Sequence, residues 1–361
     1  MHIMVTGHLG YIGSVMVPML RACGHEVVGL DSDFYASCRF GHAPPTVRNV
    51  RKDIRDVDVS DLKGFDAVVH LAALSNDPLS DMNPEITYDI NYKSSVRLAK
   101  LAKKAGVGRF LFSSSCSVYG EASSVMLTEE SETKPITPYA ESKLLAEKEI
   151  STLADSDFSP TFLRSATAYG VSHKLRFDLV LNNLVAWAYT TGVVLLKSDG
   201  SAWRPVVHIE DISSAFIAVL EASQELIHNQ TLNVGATEEN YRVRELADIV
   251  RETVPRSKIE FEKGSGPDKR SYQVDFSKIA RTLPQFKPKW NARLGAKELY
   301  EAYRRFRLVG KEFESPKYRR LDHLKKLIKS NKLDNSLRWT EAANPIERFH
   351  DLRIHAHMRR K

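Results

Sequence analysis

The sequence predicts an α/β protein: a doubly wound parallel sheet joined to a smaller, discontinuous α/β substrate domain. Three observations carry this. A glycine-rich turn follows the first apolar strand, strands and helices then alternate, and the strands are near-continuous apolar runs, as a sheet covered on both faces requires. The first run, His2 to Thr6, leads through Gly7, Gly10 and Gly13 into an apolar helical stretch reaching Leu20, closed by Gly24. Residues 26–30 read as the next strand, ending at Asp31, which completes a βαβ unit of about 30 residues. Strands are expected at 66–71, 109–113 and 161–165, and helices at 91–105 and 138–153. Beyond Tyr169 the pattern loosens. Helices are expected at 182–190, 243–254 and 296–306, strands at 193–196 and 231–234, and a strand–turn–helix element at 206–220. This divides the chain into a first domain over 1–168 with returning segments at about 201–235, a second over 169–200 and 236–308, and a basic helical extension over 309–361.

The chain has 361 residues, 42% hydrophobic and 27% charged, which excludes a disordered or fibrous protein. No apolar run approaches the roughly 20 residues of a membrane helix. The opening MHIMVTGHLG has neither the basic region nor the apolar core of an export signal. Cys23, Cys38 and Cys116 are too few for a disulfide framework and include no CxxC pair, so a reducing, cytoplasmic compartment is expected and no metal site is assigned. The net charge is +7, but residues 301–361 hold 17 Lys and Arg against 8 Asp and Glu, leaving 35 against 37 in the rest. The basicity belongs to a tail, which argues against nucleic acid as a partner. Within that tail, residues 318–330 read as an amphipathic helix with Leu321, Leu324, Leu327 and Ile328 along one side. Its Lys and Arg are expected to form a solvated face on a helix packed against the body.

The glycine turn suits a dinucleotide. It lets backbone N–H groups and a helix N-terminus approach a pyrophosphate that side chains would hold off. Asp31 can accept hydrogen bonds from both ribose hydroxyls and would repel a 2′-phosphate, which favours NAD over NADP. Further on, Tyr139 and Lys143 stand one helical turn apart on one face. A free phenol has a pKa near 10. A neighbouring ammonium and the positive ring of an oxidised nicotinamide would lower it toward use as a base. Ser115, at the end of the strand running into Ser113-Ser114-Ser115, could share and orient a substrate hydroxyl.

With these residues in place, the chain resembles an extended short-chain dehydrogenase/reductase of the NAD-dependent sugar-nucleotide epimerase/dehydratase group, a Rossmann fold. The matches are Thr6-Gly7-His8-Leu9-Gly10-Tyr11-Ile12-Gly13, Asp31, Asp53-Ile54, His70-Leu71-Ala72-Ala73, Asn91, Ser113-Ser114-Ser115 running to Val118-Tyr119-Gly120, and Tyr139 to Lys143. They keep the group's order over residues 1 to about 280. The resemblance implies cofactor contacts at Gly7, Gly10, Tyr11, Ile12, Gly13, Asp31, Asp53, Ile54, Leu71, Ala72, Ala73, Asn91, Tyr139 and Lys143. It implies Tyr139 as catalytic acid/base, Lys143 as its modulator and Ser115 as the hydroxyl partner. The later half resembles UDP-sugar 4-epimerases, implying substrate contacts at Asn182, Asn183, Leu184 and Arg204, an Arg fork being suited to a diphosphate.

Some positions depart from that pattern. Dehydratases of the group place an acidic pair after the catalytic hydroxyl, where this chain has Cys116 and Ser117, and Cys116 reads as a packed thiol. Thr167 replaces the usual asparagine before Tyr169-Gly170. The second substrate arginine falls on Ser265, with Asp268 kept and Arg270 close enough to take its place. The 174–178 loop and the tail lie outside the pattern. The expected function is NAD-dependent epimerisation of a nucleotide-activated sugar at C4 through a transient 4-keto intermediate. A reductase of a nucleotide 4-keto-sugar, using exchangeable NAD(P)H, needs the same residues; a non-catalytic nucleotide-binding protein would not need Ser115, Tyr139 and Lys143 together. The resemblance also suggests a homodimer formed through residues 91–105 and 138–153.

Overall fold

The computed structural model of the chain describes residues 1–75, 77–120, 126–264, 266, 268 and 270–341. The strands of its first half are β1 (His2–Thr6), β2 (Glu26–Asp31), β3 (Arg48–Arg51), β4 (Ala67–His70), β5 (Arg109–Ser115) and β6 (Ser159–Ser165). Those that follow are β7 (Thr167–Tyr169), β8 (Val193–Leu196), β9 (Trp203–His208), β10 (Gln230–Val234), β11 (Asn240–Arg242) and β12 (Lys258–Phe261). Seven of them form one parallel sheet in the order β10-β6-β5-β4-β1-β2-β3. The winding reverses between β1 and β4. A crevice therefore opens beyond their C-terminal ends, where open α/β sheets bind ligands.

Ile3, Met4 and Val5 of β1 are fully buried, with Ile3 opposite Val27 on one side and Ala67 on the other. Helices Gly13–Ala22 and Ile209–Glu221 cover one face and share a core containing Met16, Leu20 and Phe216. Helices Ser94–Lys104 and Pro138–Ser151 cover the other, over Phe110, Phe158 and Phe162. Each such ring contributes about 1.5–3 kcal/mol on burial. β5 runs two residues further than its apolar stretch, because Ser114 and Ser115 keep pairing with Arg164 and Ser165 of β6. The helix expected from residue 91 begins at Ser94, after a π-helical turn over Tyr88–Lys93.

β3, β7, β11 and β12 are short and lack apolar runs, which is why they escape periodicity. β9 pairs parallel with β7 and antiparallel with β11, and β8 pairs parallel with β12. Helices Val180–Thr191, Val243–Thr253 and Ala292–Arg305 close a second core around Leu181, Leu246 and Leu299. The chain returns to the large sheet through helix Ile209–Glu221 and β10, while β9 stays in the small sheet. No helix among the described residues is long and apolar enough to cross a membrane. All three cysteines are free thiols.

The extension packs as helix Arg320–Lys329, with Leu324 and Leu327 in the core that holds Ile54, Val57 and Leu62. Lys325, Lys326 and Lys329 are exposed, as expected of a solvated face, but Arg320 and His323 are buried. That departs from the sequence reading: the buried pair stands on the side facing the loop after β2, to which His323 Nε2 lies 3.0 Å from the Phe34 carbonyl.

Candidate active site

The crevice carries the glycine turn. Gly7 has φ of +73°, in the left-handed region, and a Cβ there would lie 2.7 Å from the Ala72 nitrogen on β4's outgoing loop. A Cβ on Gly13 would lie 2.5 Å from the Cα of His8, so the helix can start this close to the turn only without a side chain. The Asp31 carboxylate accepts from the Leu9 N–H at 3.0 Å and the Asp33 N–H at 2.7 Å, bracing the turn from the end of β2. Gly10, Tyr11, Ile12, Asp53, Ile54, Leu71, Ala72 and Ala73 line the same cleft. A backbone cradle beside a carboxylate is the donor and acceptor set that a pyrophosphate and a ribose diol require. The residues present fit NAD.

Two expected contacts sit one layer back. The Asn91 amide is fully buried, accepting from the Leu74 N–H at 2.8 Å and donating to the Leu74 carbonyl at 3.0 Å and the Ser142 hydroxyl at 3.3 Å. Asn182 likewise accepts from the Gly170 N–H and donates to the Arg176 carbonyl and the Tyr11 hydroxyl. Neither side chain lines the cleft, and both tie neighbouring loops together.

A second chamber of about 690 Å³ adjoins the first and is lined by Ser115, Tyr139 and Lys143. Pro138 opens the helix that carries the latter two, and the Thr137 hydroxyl caps it by accepting from the Ala140 N–H at 3.2 Å. Ser115 stands at the last position of β5, where its Oγ accepts from the Ser117 N–H. Lys143 donates to the Ser113 carbonyl at 2.8 Å and lies over the Phe112 ring; burial pushes its ammonium down to about 7. Burial pushes the Tyr139 phenol up, opposed chiefly by the Arg176 guanidinium and then by the Ser115 hydroxyl. The sequence reading gave that opposing role to Lys143. In the structure Lys143 donates to a backbone carbonyl, and Arg176 of the 174–178 loop is the charge that most opposes the rise.

The same chamber is lined by Asn183, Leu184, Arg204 and Arg270. Asn183 donates to the Phe177 carbonyl, and Arg204, 9% exposed, pairs with Asp268 at 2.6 Å. Arg270 bridges Asp268 at 3.0 Å and Asp77 at 2.7 Å, and Asp77 accepts from the Thr137 hydroxyl at 2.9 Å. Ser265, where the resemblance places the second arginine, lies outside the described residues. Cys116 is fully buried with its thiol donating to the Arg164 carbonyl, and burial pushes that thiol up, as befits a packed side chain.

Arg176, Ser75, Asp77 and Arg320 belong to the cleft walls and were not singled out from sequence. Arg176 lines both chambers, held by both oxygens of Asp178 and by Ser75. One signal lay in the 174–178 segment itself, whose charges alternate with Leu175 and Phe177, both buried.

Residues 3–235 match the NAD dependent epimerase/dehydratase family. A UDP-glucose 4-epimerase of Corynebacterium glutamicum is 30% identical over 267 residues, 70% of this chain and 80% of its own. Among solved structures, MoeE5 in complex with UDP-glucuronic acid and NAD superposes with a TM-score of 0.73 at 28% identity, over 84% of this chain and 99% of that one. DesIV, a dTDP-glucose 4,6-dehydratase of Streptomyces venezuelae with NAD bound, gives 0.74 at 26% identity, over 85% and 98%. With its parallel sheet, glycine cradle and braced Asp31, this chain belongs to the NAD dependent epimerase/dehydratase family and is an enzyme that works with NAD.

Proposed function

We propose that the protein epimerises a nucleotide-activated sugar at C4 through a transient 4-keto intermediate. The observation that carries this is the single chamber joining Ser115, Tyr139 and Lys143 to Asn183, Arg204 and Arg270. The first group suits reaction at a hydroxyl-bearing carbon and the arginines of the second suit a diphosphate. NAD, when bound, would supply a reversible hydride acceptor and, when oxidised, a positive charge. Tyr139 removes the hydroxyl proton of the sugar and later returns it, with Ser115 orienting that hydroxyl. Arg176 favours the phenolate electrostatically. Lys143, anchored on Ser113, holds the cofactor side of the same wall. Asn183, Arg204 and Arg270 grip the nucleotide, so that the sugar ring can turn while its handle stays fixed.

Dehydration is the reaction from which the site departs. Three carboxylates line the chamber among the described residues, Asp77, Asp178 and Asp268, and each is paired with an arginine. Cys116 and Ser117 offer no carboxyl group in their place. We also assign the 1–168 segment, with its return through β10, to the cofactor and the 169–200 and 236–308 segments to the substrate. A homodimer through the two helices over Ser94–Lys104 and Pro138–Ser151 is part of the same proposal. The experiment is a nucleotide sugar deuterated at C4. Inversion with the label retained, and without added NADH, is the expected result. Loss of label to solvent or to free NADH would overturn it in favour of the ketoreductase or of epimerisation beside a ketone.

A further inference from the structure

The C-terminal extension lies outside the matched residues 3–235, yet it reaches the cofactor chamber. Arg320, the first residue of its helix, is 5% exposed and lines that chamber together with Arg176 and the glycine turn. Its guanidinium lies 3.9 Å from the centre of the Tyr35 ring, and Nη2 donates to the Lys174 carbonyl at 2.8 Å. Nη1 is buried without a hydrogen-bond partner among the described residues, and no carboxylate among them lies within ion-pairing distance of this arginine. The neighbouring carboxylates are engaged elsewhere: Asp178 is gripped by Arg176, Asp33 pairs with Arg51, Asp53 pairs with Arg55, and Asp31 accepts from two backbone N–H groups. A buried cation in this position is costly unless an anion meets it. Lys174, also buried, adds charge of the same sign and donates to the Tyr35 carbonyl at 2.7 Å.

The rest of the extension clamps the segments that shape this chamber. The Trp339 indole donates to the Ser32 carbonyl at 2.7 Å and His323 meets the Phe34 carbonyl. Arg55 reaches the Ser336 carbonyl at 2.7 Å while holding Asp53, and Arg338 pairs with Asp56. Both the 32–35 loop and the Asp53–Ile54 turn line the cofactor chamber.

We propose that the extension is a strap across the cofactor cleft and that Arg320 is a ligand of the dinucleotide's diphosphate, so that NAD stays as a resident coenzyme through many turnovers. The diphosphate is the anion of NAD, and it belongs between a glycine turn and an arginine fork. The strap holds the loop over the adenosine half, and Arg320 completes the charge balance beneath it. This rests on the NAD dependence of the family and not on which sugar is turned over.

The test is NAD release from purified holoenzyme, followed by dilution into excess labelled NAD and separation of bound label. Arg320→Gln keeps a donor for the Lys174 carbonyl but removes the charge. It is expected to release NAD about 10- to 100-fold faster, the loss typical of a charged hydrogen bond. Arg320→Lys is expected to recover part of the retention. Wild-type release from Arg320→Gln overturns the assignment. Equal acceleration in Gln and Lys overturns it too, because that marks a packing role. Trp339→Phe removes the indole bond to Ser32 and leaves Arg320 in place; severalfold faster release is expected, and an unchanged rate overturns the strap.

Discussion

The two walls of the cleft are built from different materials. The cofactor wall is backbone: a glycine turn, strand ends, and a carboxylate that braces the turn through N–H groups. The wall proposed for the substrate is a chain of side chains from distant segments, Arg204, Asp268, Arg270, Asp77 and Thr137, each holding the next. A backbone cradle is rigid and serves one ligand class. A network of ion pairs can be re-formed around different sugars with few substitutions.

The sharpest way to break that contrast is at the joint between the walls. Tyr139→Phe should lower turnover by about 10² to 10⁴ while leaving NAD binding intact, the range for losing a general acid/base. Steady-state rates and NAD titration on the same preparation check both halves. A variant near wild-type rate would remove Tyr139 from the chemistry. Next in size, Arg204→Ala should raise KM for the nucleotide sugar by about 10- to 100-fold with kcat much less affected, because it supplies mostly uniform binding. A fall in kcat with KM unchanged would mean that the substrate wall acts on the transition state.

A smaller effect is expected on the cofactor wall. Asp31→Ala should weaken NAD and narrow its advantage over NADP by roughly tenfold, since it loses the ribose acceptor, the bond from Leu9 of the turn and the bond from Asp33 of the following loop. Dissociation constants for both dinucleotides measure this. NADP bound more tightly than NAD by the wild type would overturn the reading of Asp31.

The same contrast decides what was legible in the sequence. The glycine turn, Asp31 and the 139–143 pair are local patterns, and the structure brings all of them to the two adjoining chambers. Arg204 and Asn183 were found through resemblance and also face the chamber. Asn91 and Asn182 were also found through resemblance, but their amides are engaged by neighbouring protein groups, and a match in position does not tell which way an amide points. Arg176 and Arg320 were missed for a different reason. Arg320 sits in a helix whose basic residues are otherwise exposed, and its burial depends on Tyr35 and Lys174, 285 and 146 positions away along the chain. No periodicity within the tail encodes that contact.

The last and smallest effect links the walls. Thr137 caps the helix carrying Tyr139 and Lys143, and its hydroxyl also donates to Asp77, the carboxylate that holds Arg270. Loss of a threonine cap costs about 1 kcal/mol. Thr137→Ala should therefore lower stability by about that amount in urea denaturation, while Thr137→Ser stays close to wild type. If the cap is its whole role, KM will follow the wild type in both variants. If the bond to Asp77 sets the position of Arg270, Thr137→Ala will raise KM severalfold as well, and Thr137→Ser will restore it. The second outcome is expected, because Asp77 has one oxygen on Thr137 and the other on Arg270, and releasing the first frees the carboxylate to turn. An unchanged KM in Thr137→Ala would show that the catalytic helix and the substrate wall are adjusted independently.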